Sequence, residues 1–231
     1  MRAVKNNRHD KGAGFSLIEL VIAMAVTLTV MAIASTLIAR SLKVRARENR
    51  QTDALADAQR ALNLMSREIA NAGFRMKTNG IVWQDSNNDT SIRVLANLNK
   101  YTGETDNGVT EEGEDVKFFL TNNRQSLVRY DPNAPAALRS TVLANRINGL
   151  NIYYYAQRID YTTGDCTSPV ISGNGVVRLT NANIANAKYV VLAACVDLPA
   201  EGKPDSPGYQ PATKTVLVSD VTLRNANVND Y

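Results

Sequence analysis

Histidine is almost missing from this chain: His9 is the only one among 231 residues, and there are two cysteines, Cys166 and Cys195. Their spacing is far from Cys-x-x-Cys, which excludes a dithiol redox motif. A Ser-His-Asp or Cys-His site, or a His-ligated metal, has only His9 to draw on. No internal repeat is visible. No basic stripe runs through residues 74–231, so direct nucleic-acid capture has little support. Charge is missing as well from Leu20 to Ala39. About 20 uncharged residues make roughly 30 Å of helix, enough to cross the hydrocarbon core of a bilayer.

One acid stands at the edge of that run. Residues 14–20 read Gly-Phe-Ser-Leu-Ile-Glu-Leu. The Glu19 carboxylate costs about 2.5–3.5 kcal/mol at membrane depth when unpaired, so the segment calls for a partner charge. Ahead of it, Arg2, Lys5, Arg8 and Lys11 stand against Asp10, followed by the small residues Gly12-Ala13-Gly14. Together these residues resemble the type IV prepilin leader, in which an inner-membrane prepilin peptidase cuts after the glycine and N-methylates the new terminus. The resemblance implies a cut between Gly14 and Phe15, an N-methylated Phe15, and Glu19 as the fifth mature residue. The residue types suit that chemistry. Glycine lets a protease approach the backbone closely, and the freed α-amino group of Phe15 lies one helical turn from Glu19. In an assembling filament, Glu19 of one subunit would pair with the Phe15 amine of its neighbour, neutralising both charges in lipid.

Two other readings stand beside this one. Residues 1–34 form a secretory signal with Ala32-Ile33-Ala34 as its cleavage site, although Glu19 inside the apolar region and the helical pattern beyond Ala34 oppose it. Alternatively the segment is a plain signal anchor whose Glu19 snorkels to the interface. Charge does not fix orientation, because Arg40, Lys43, Arg45, Arg47 and Arg50 lie beyond the run and rival the leader. A periplasmic C-terminal part follows from the resemblance and from the cysteines.

Processing changes the composition. Removal of residues 1–14 takes four of the 26 basic residues and one of the 22 acids, which brings the net charge from +4 to +1. His9 leaves with them. The mature chain then has no histidine, and the sequence predicts a non-enzymatic protein that needs no cofactor.

Past the apolar run the helical pattern persists. Leu55, Ala58, Leu62, Met65, Ile69 and Ala72 follow three-four spacing, with Asp53, Asp57, Arg60, Arg67 and Glu68 off the stripe. Gly73 is the expected C-cap. The helix is expected from Phe15 to about Ala72, apolar all round in its first half and amphipathic in its second. Residues 74–231 change character, to short β-branched and aromatic runs separated by Asn, Asp, Gly and Pro. Expected strands are Ile81–Trp83, Ser91–Leu95, Val116–Thr121, Ser126–Tyr130, Thr141–Leu143, Leu150–Tyr155, Lys188–Val196 and Thr215–Leu223. An antiparallel sheet laid on the amphipathic half gives an α+β fold. The expected organisation is a leader over 1–14, a long helix over 15–73 with its membrane or filament-core half at 20–39, and a β-rich domain over 74–231. Asn99–Asp115 and Pro199–Pro211 are expected to be exposed loops.

A second set of residues resembles the larger minor pilins of the PilW-like group. These are Ala61–Ile69 with Asn71-Ala72-Gly73-Phe74, then Val116–Leu120, Leu127–Tyr130, Ile147–Tyr154 and Val221–Asn225. The J-type pseudopilins of type II secretion share the sheet loosely. Thr36 stands where many major pilins carry a helix-kinking proline, which points to a minor subunit or a pseudopilin.

Outside the cytoplasm, Cys166 and Cys195 suggest one disulfide closing a loop of about 30 residues, worth roughly 3–4 kcal/mol. The alternative is a buried Cys195 thiol. Asp85-Ser86-Asn87-Asn88-Asp89 resembles the opening of a calcium loop, but Thr90 replaces the glycine at its sixth position and Asn97 the glutamate at its twelfth. A solvated turn is expected there, with no metal. Tyr153-Tyr154-Tyr155 is expected to alternate between core and sheet face. The Arg40–Arg50 cluster would meet anionic lipid or acids of neighbouring subunits.

The expectation is therefore a minor pilin of a type IV pilus-like system, acting at or near the filament tip. The alternatives are a J-type pseudopilin and a signal-anchored envelope domain that does not polymerise. Expected partners are prepilin peptidase, other minor and major pilins, the inner-membrane assembly platform and membrane lipid, with no nucleic acid. The expected location is the bacterial inner membrane, single-pass, and then the filament.

Overall fold

The computed structural model describes residues 15–86, 89–98, 108–109, 111–121, 123, 125–173, 175–204 and 209–226. It divides into two compact units, one up to Ala46 and one from Arg47 onward. Helix α1 spans Leu17–Ala70. Its first turn closes on Ser16, whose carbonyl accepts from Glu19 N at 3.0 Å and Leu20 N at 3.1 Å. No proline or glycine interrupts α1, and straight-chain and small residues dominate it, so nothing in the sequence breaks the hydrogen-bond ladder. The helix ends in a turn over Asn71–Arg75. Gly73 adopts φ +75, and a Cβ there would lie 2.5 Å from the Thr78 carbonyl oxygen. Glycine is needed at this reversal, although the Gly73 N–H bonds to Leu95 O at 2.9 Å rather than back into the helix.

In the first unit every described residue is exposed. In the second, Ala54, Ala58, Ala61, Leu62, Met65 and Ile69 form the buried face of α1. A single helical turn, α2 (Trp83–Ser86), follows. An antiparallel sheet of order β1-β2-β3-β4 then comprises Ser91–Leu95, Asp115–Leu120, Ser126–Tyr130 and Ser140–Asn145. A second antiparallel sheet of order β5-β8-β9 comprises Ile147–Tyr155, Tyr189–Leu198 and Thr213–Thr222. Between β5 and β8 lie a small hairpin, β6 (Tyr161–Thr163) with β7 (Val170–Ser172), and a 3₁₀ turn at Asn181–Asn186. Residues on α1 and both larger sheets share one core, including Leu62, Met65, Ile92, Phe118, Leu127, Ile152, Tyr154 and Leu192. The opposite face of the second sheet carries a smaller cluster of Tyr155, Ile159, Tyr189 and Val191. Strand β8 is therefore covered on both faces, which is why it reads as a near-continuous apolar run.

The fold is α+β, as the sequence implies, but the β part is two sheets and a hairpin rather than one sheet. The break between the sheets has a local cause. Arg146, the single residue between β4 and β5, sits at φ +62 and turns the chain from one sheet into the other. Four expectations are corrected. Ile81 makes one bridge with Val94 and no strand, because the chain coils at Trp83–Ser86. Hairpin β6–β7 lies where no strand is expected. The acidic stretch ends buried, with Glu114 and Asp115 inside. Within Pro199–Pro211, Glu201 and Gln210 exchange two backbone hydrogen bonds at 2.9 Å, so the ends of that stretch are structured.

Candidate functional site

The first turn of α1 holds the motif chemistry. Phe15 is 80% exposed just ahead of the helix, and Glu19 lies in the first turn. A carboxylate there faces the unpaired N–H groups of a helix start, a favourable setting worth about 0.3–1 kcal/mol at an exposed site. Gly14 and the basic leader lie outside the described residues.

From Glu19 the helix continues as an apolar rod. It is long and apolar enough to cross a membrane by length and composition. All four hydroxyls between Leu20 and Ala39 are turned back onto helix carbonyls. Thr27 donates to Ala23 O (2.7 Å), Thr29 to Val26 O, Ser35 to Met31 O and Thr36 to Ile33 O (2.8 Å each). Each donor is satisfied within the helix, the condition that a lipid environment imposes. Large apolar side chains from Phe15 to Val44 are exposed on every side of the helix. Burying each is worth roughly 1.5–3 kcal/mol. A contiguous apolar surface of this extent is of the kind that lipid or other protein covers.

Several charges of the second unit are held in closed groups. Arg93 pairs with Asp115 (2.7 Å) and Asp85 (2.8 Å), and Lys117 reaches Asp85 at 2.9 Å. These hydrogen bonds from Arg93 and Lys117 hold the Asp85 carboxyl below its usual range. Asp89 instead pairs with Arg178, whose guanidinium stacks 4.7 Å over the Tyr153 ring. The two acids of the calcium-like stretch thus serve different cations, while Asn87 and Asn88 lie outside the described residues. Among the described residues, no group of three His, Cys, Asp or Glu side chains gathers as a metal cage. Glu68 accepts from Arg129 at 3.1 Å, yet burial outweighs that cation and raises its carboxyl. Asp220 accepts from Tyr189 at 2.7 Å and Tyr161 at 3.1 Å. Burial first, and then this carboxylate, push the Tyr161 hydroxyl up to about 12 and raise Tyr189 as well.

Cys166 and Cys195 are joined in a disulfide across a Cα–Cα distance of 5.5 Å. It ties the turn between β6 and β7 to the central strand β8. The tyrosine triplet alternates: Tyr154 enters the main core, while Tyr155 and the half-buried Tyr153 join the smaller cluster. The basic cluster is not uniform. Arg47 is only 8% exposed and donates to Pro199 O (3.3 Å), Thr213 Oγ1 (3.1 Å) and Pro211 O. In the sequence Arg47 is one of five like cations beyond the apolar run, and nothing local marks Arg146. Position 47 lies seven residues before Ala54, on the buried face of α1, and that periodicity was available to find it.

Residues 10–35 match the prokaryotic N-terminal methylation motif. Comparison with curated proteins and with solved structures finds no match. The matched residues are those that run from the end of the leader through Phe15 and Glu19 into the apolar helix. This chain carries the prepilin motif of type IV pilin-like proteins, a group that includes the pseudopilins and whose precursors are processed by prepilin peptidase.

Proposed function

We propose that the chain is a minor pilin of a type IV pilus-like system, cut between Gly14 and Phe15, N-methylated on Phe15, and without enzymatic activity. It waits in the inner membrane, held by Leu20–Ala39 with the β-rich part in the periplasm. It then enters a filament at or near the tip, alongside other minor and major pilins. The observation that carries this reading is the methylation motif, with Glu19 in the first turn of α1, leading without a break into the charge-free run Leu20–Ala39. On release of the leader, the Phe15 amine of one copy and the Glu19 carboxylate of the next would neutralise one another where neither is tolerated alone. The PilW-like residues at Ala61–Phe74 and in the strands favour a minor subunit. A J-type pseudopilin uses the same device for protein export, and the uninterrupted helix at Thr36 favours it equally.

The test is co-expression with a prepilin peptidase, followed by intact mass measurement. A product beginning at methylated Phe15 is expected; cleavage after Ala34, or no cleavage, refutes the assignment. Glu19→Ala is expected to be processed normally yet to enter filaments poorly, and undiminished incorporation would remove the charge-pair argument.

A further inference from the structure

We propose that the cleft lined by Arg47, Arg50 and Arg146 binds a phosphate-bearing anion, either the phosphodiester of an anionic lipid headgroup or free phosphate. The cleft, of about 270 Å³, is lined as well by Leu198, Pro199, Ala200 and Glu201. Among the described residues that line it are three arginines and one carboxylate, an excess of two positive charges. Among the described residues, one ion pair forms in it, Arg50 with Glu201 at 2.9 Å. Both partners are about half exposed, at 45% and 54%, and such pairs exchange readily for a stronger ligand. The Arg146 guanidinium donates to Arg50 O at 3.3 Å, which holds it over the helix. Arg47 is fixed from below by its bonds to Pro199 O, Pro211 O and Thr213 Oγ1.

A second observation points the same way. Arg146 occupies the left-handed region at φ +62, where glycine would sit without strain. Side chains held at such positions cluster where a ligand is gripped. The planar guanidinium fork matches tetrahedral oxyanions through paired N–H donors. Arg47 is engaged by three protein oxygens and adds its charge, so the half-exposed Arg50 and the exposed Arg146 are the forks that would grip the anion. Along the chain, Arg47 follows the last residue of the charge-free run by eight positions, close in sequence to where a spanning helix meets headgroups. The inference does not depend on processing or polymerisation.

The test uses the full chain purified in detergent, titrated in native mass spectrometry with phosphatidylglycerol, phosphatidylcholine or inorganic phosphate. Preferential retention of phosphatidylglycerol, with inorganic phosphate inert, identifies the lipid headgroup. Binding of inorganic phosphate that displaces the lipid identifies free phosphate. In either case Arg146→Gly is expected to weaken binding roughly tenfold while leaving the melting temperature unchanged or higher, because the strain is relieved as the fork is lost. Glu201→Gln is expected to strengthen binding several-fold. Equal retention of both lipids with no phosphate binding overturns the proposal, as does binding that neither variant changes. Tighter binding of an acidic peptide with the same order of variants would also overturn it, making the cleft a protein contact.

Discussion

Removal of the Cys166–Cys195 disulfide tests how the second unit divides its stability. The two residues are 29 positions apart, so the bond closes a loop whose chain-entropy contribution is about 3.5 kcal/mol. Cys195 is 3% exposed in β8, and truncating it to alanine adds a small cavity costing roughly 1 kcal/mol. The two contributions separate cleanly. Reduction of the native chain breaks the cross-link without changing packing, whereas Cys166→Ala with Cys195→Ala removes both. Urea unfolding of the full chain in detergent can be followed by Trp83, the single tryptophan, which packs against the main core. Reduction should cost about 3.5 kcal/mol and the double variant about 4.5 kcal/mol, with a steeper denaturant dependence in both, since the unfolded chain expands when the loop opens. Hydrogen exchange should also show β6 and β7 released first, because three-residue strands cannot hold a hairpin alone. A loss below about 1 kcal/mol on reduction would refute the entropic argument. Two thiols alkylated without reductant would refute the bond itself.

Glu114 is 1% exposed and accepts from Leu98 N at 2.7 Å and Glu111 N at 2.8 Å. Glu114→Ala should cost about 1.5–3 kcal/mol in denaturant titrations, because two part-buried backbone N–H groups lose a charged acceptor. Tyr161 and Tyr189 have hydroxyls raised in the folded state by burial and by Asp220, so the folded form keeps their protons longer than the unfolded form. Their contribution is therefore complete below about pH 10 and is lost as pH rises toward about 12. Tyr161→Phe should flatten that alkaline limb when stability is measured across it, and an unchanged limb would deny the linkage. Gly80 has φ +74 and lies against the backbone of Gly73 and Leu95. Gly80→Ala should cost at least 1–3 kcal/mol of thermal stability, and a neutral result would mean that the Asn71–Gly80 reversal is looser than its geometry implies.

The strands most legible in the sequence were those whose side chains alternate on a half-buried surface or run continuously through the core. Ser91–Leu95 and Ser126–Tyr130 match the expected bounds, and the run at 188–196 lies within one residue of the start of β8. Short elements were illegible for a physical reason. Tyr161–Thr163 and Val170–Ser172 are held by a disulfide and by contacts with the smaller cluster, neither of which leaves a period in three residues. The Trp83–Ser86 turn displaced an expected strand because Ser86 Oγ accepts from Arg93 N and Asp85 takes two cations, fixing a compact bend. Acids read as exposed because composition cannot reveal acceptors for distant N–H groups. Within the Asn99–Asp115 stretch, Glu114 accepts from Leu98 N at 2.7 Å and is 1% exposed.

The motif at the helix start was legible because each of its parts is local: a leader, a glycine, an acid at the fifth residue past the cut, and an uncharged run. The basic stretch behind it was not, because five cations in eleven residues look alike until the helix assigns them faces. Position 47 falls seven and eleven residues before Ala54 and Ala58, so helical geometry alone places Arg47 on the buried stripe. An arginine survives there because of what it meets. Two of its acceptors are proline carbonyls at 199 and 211, in a stretch where the prolines remove N–H groups that would otherwise pair with carbonyls. A guanidinium, with five donors, can satisfy several such oxygens at once, and its aliphatic stem extends the apolar stripe. A leucine would pack as well but leave the carbonyls unanswered. The helix therefore follows two rules in sequence, apolar on all faces through Ala39 and apolar on one face from Arg47 onward, and the same 3.6-residue period reads as a membrane segment in one and as a core seam in the other.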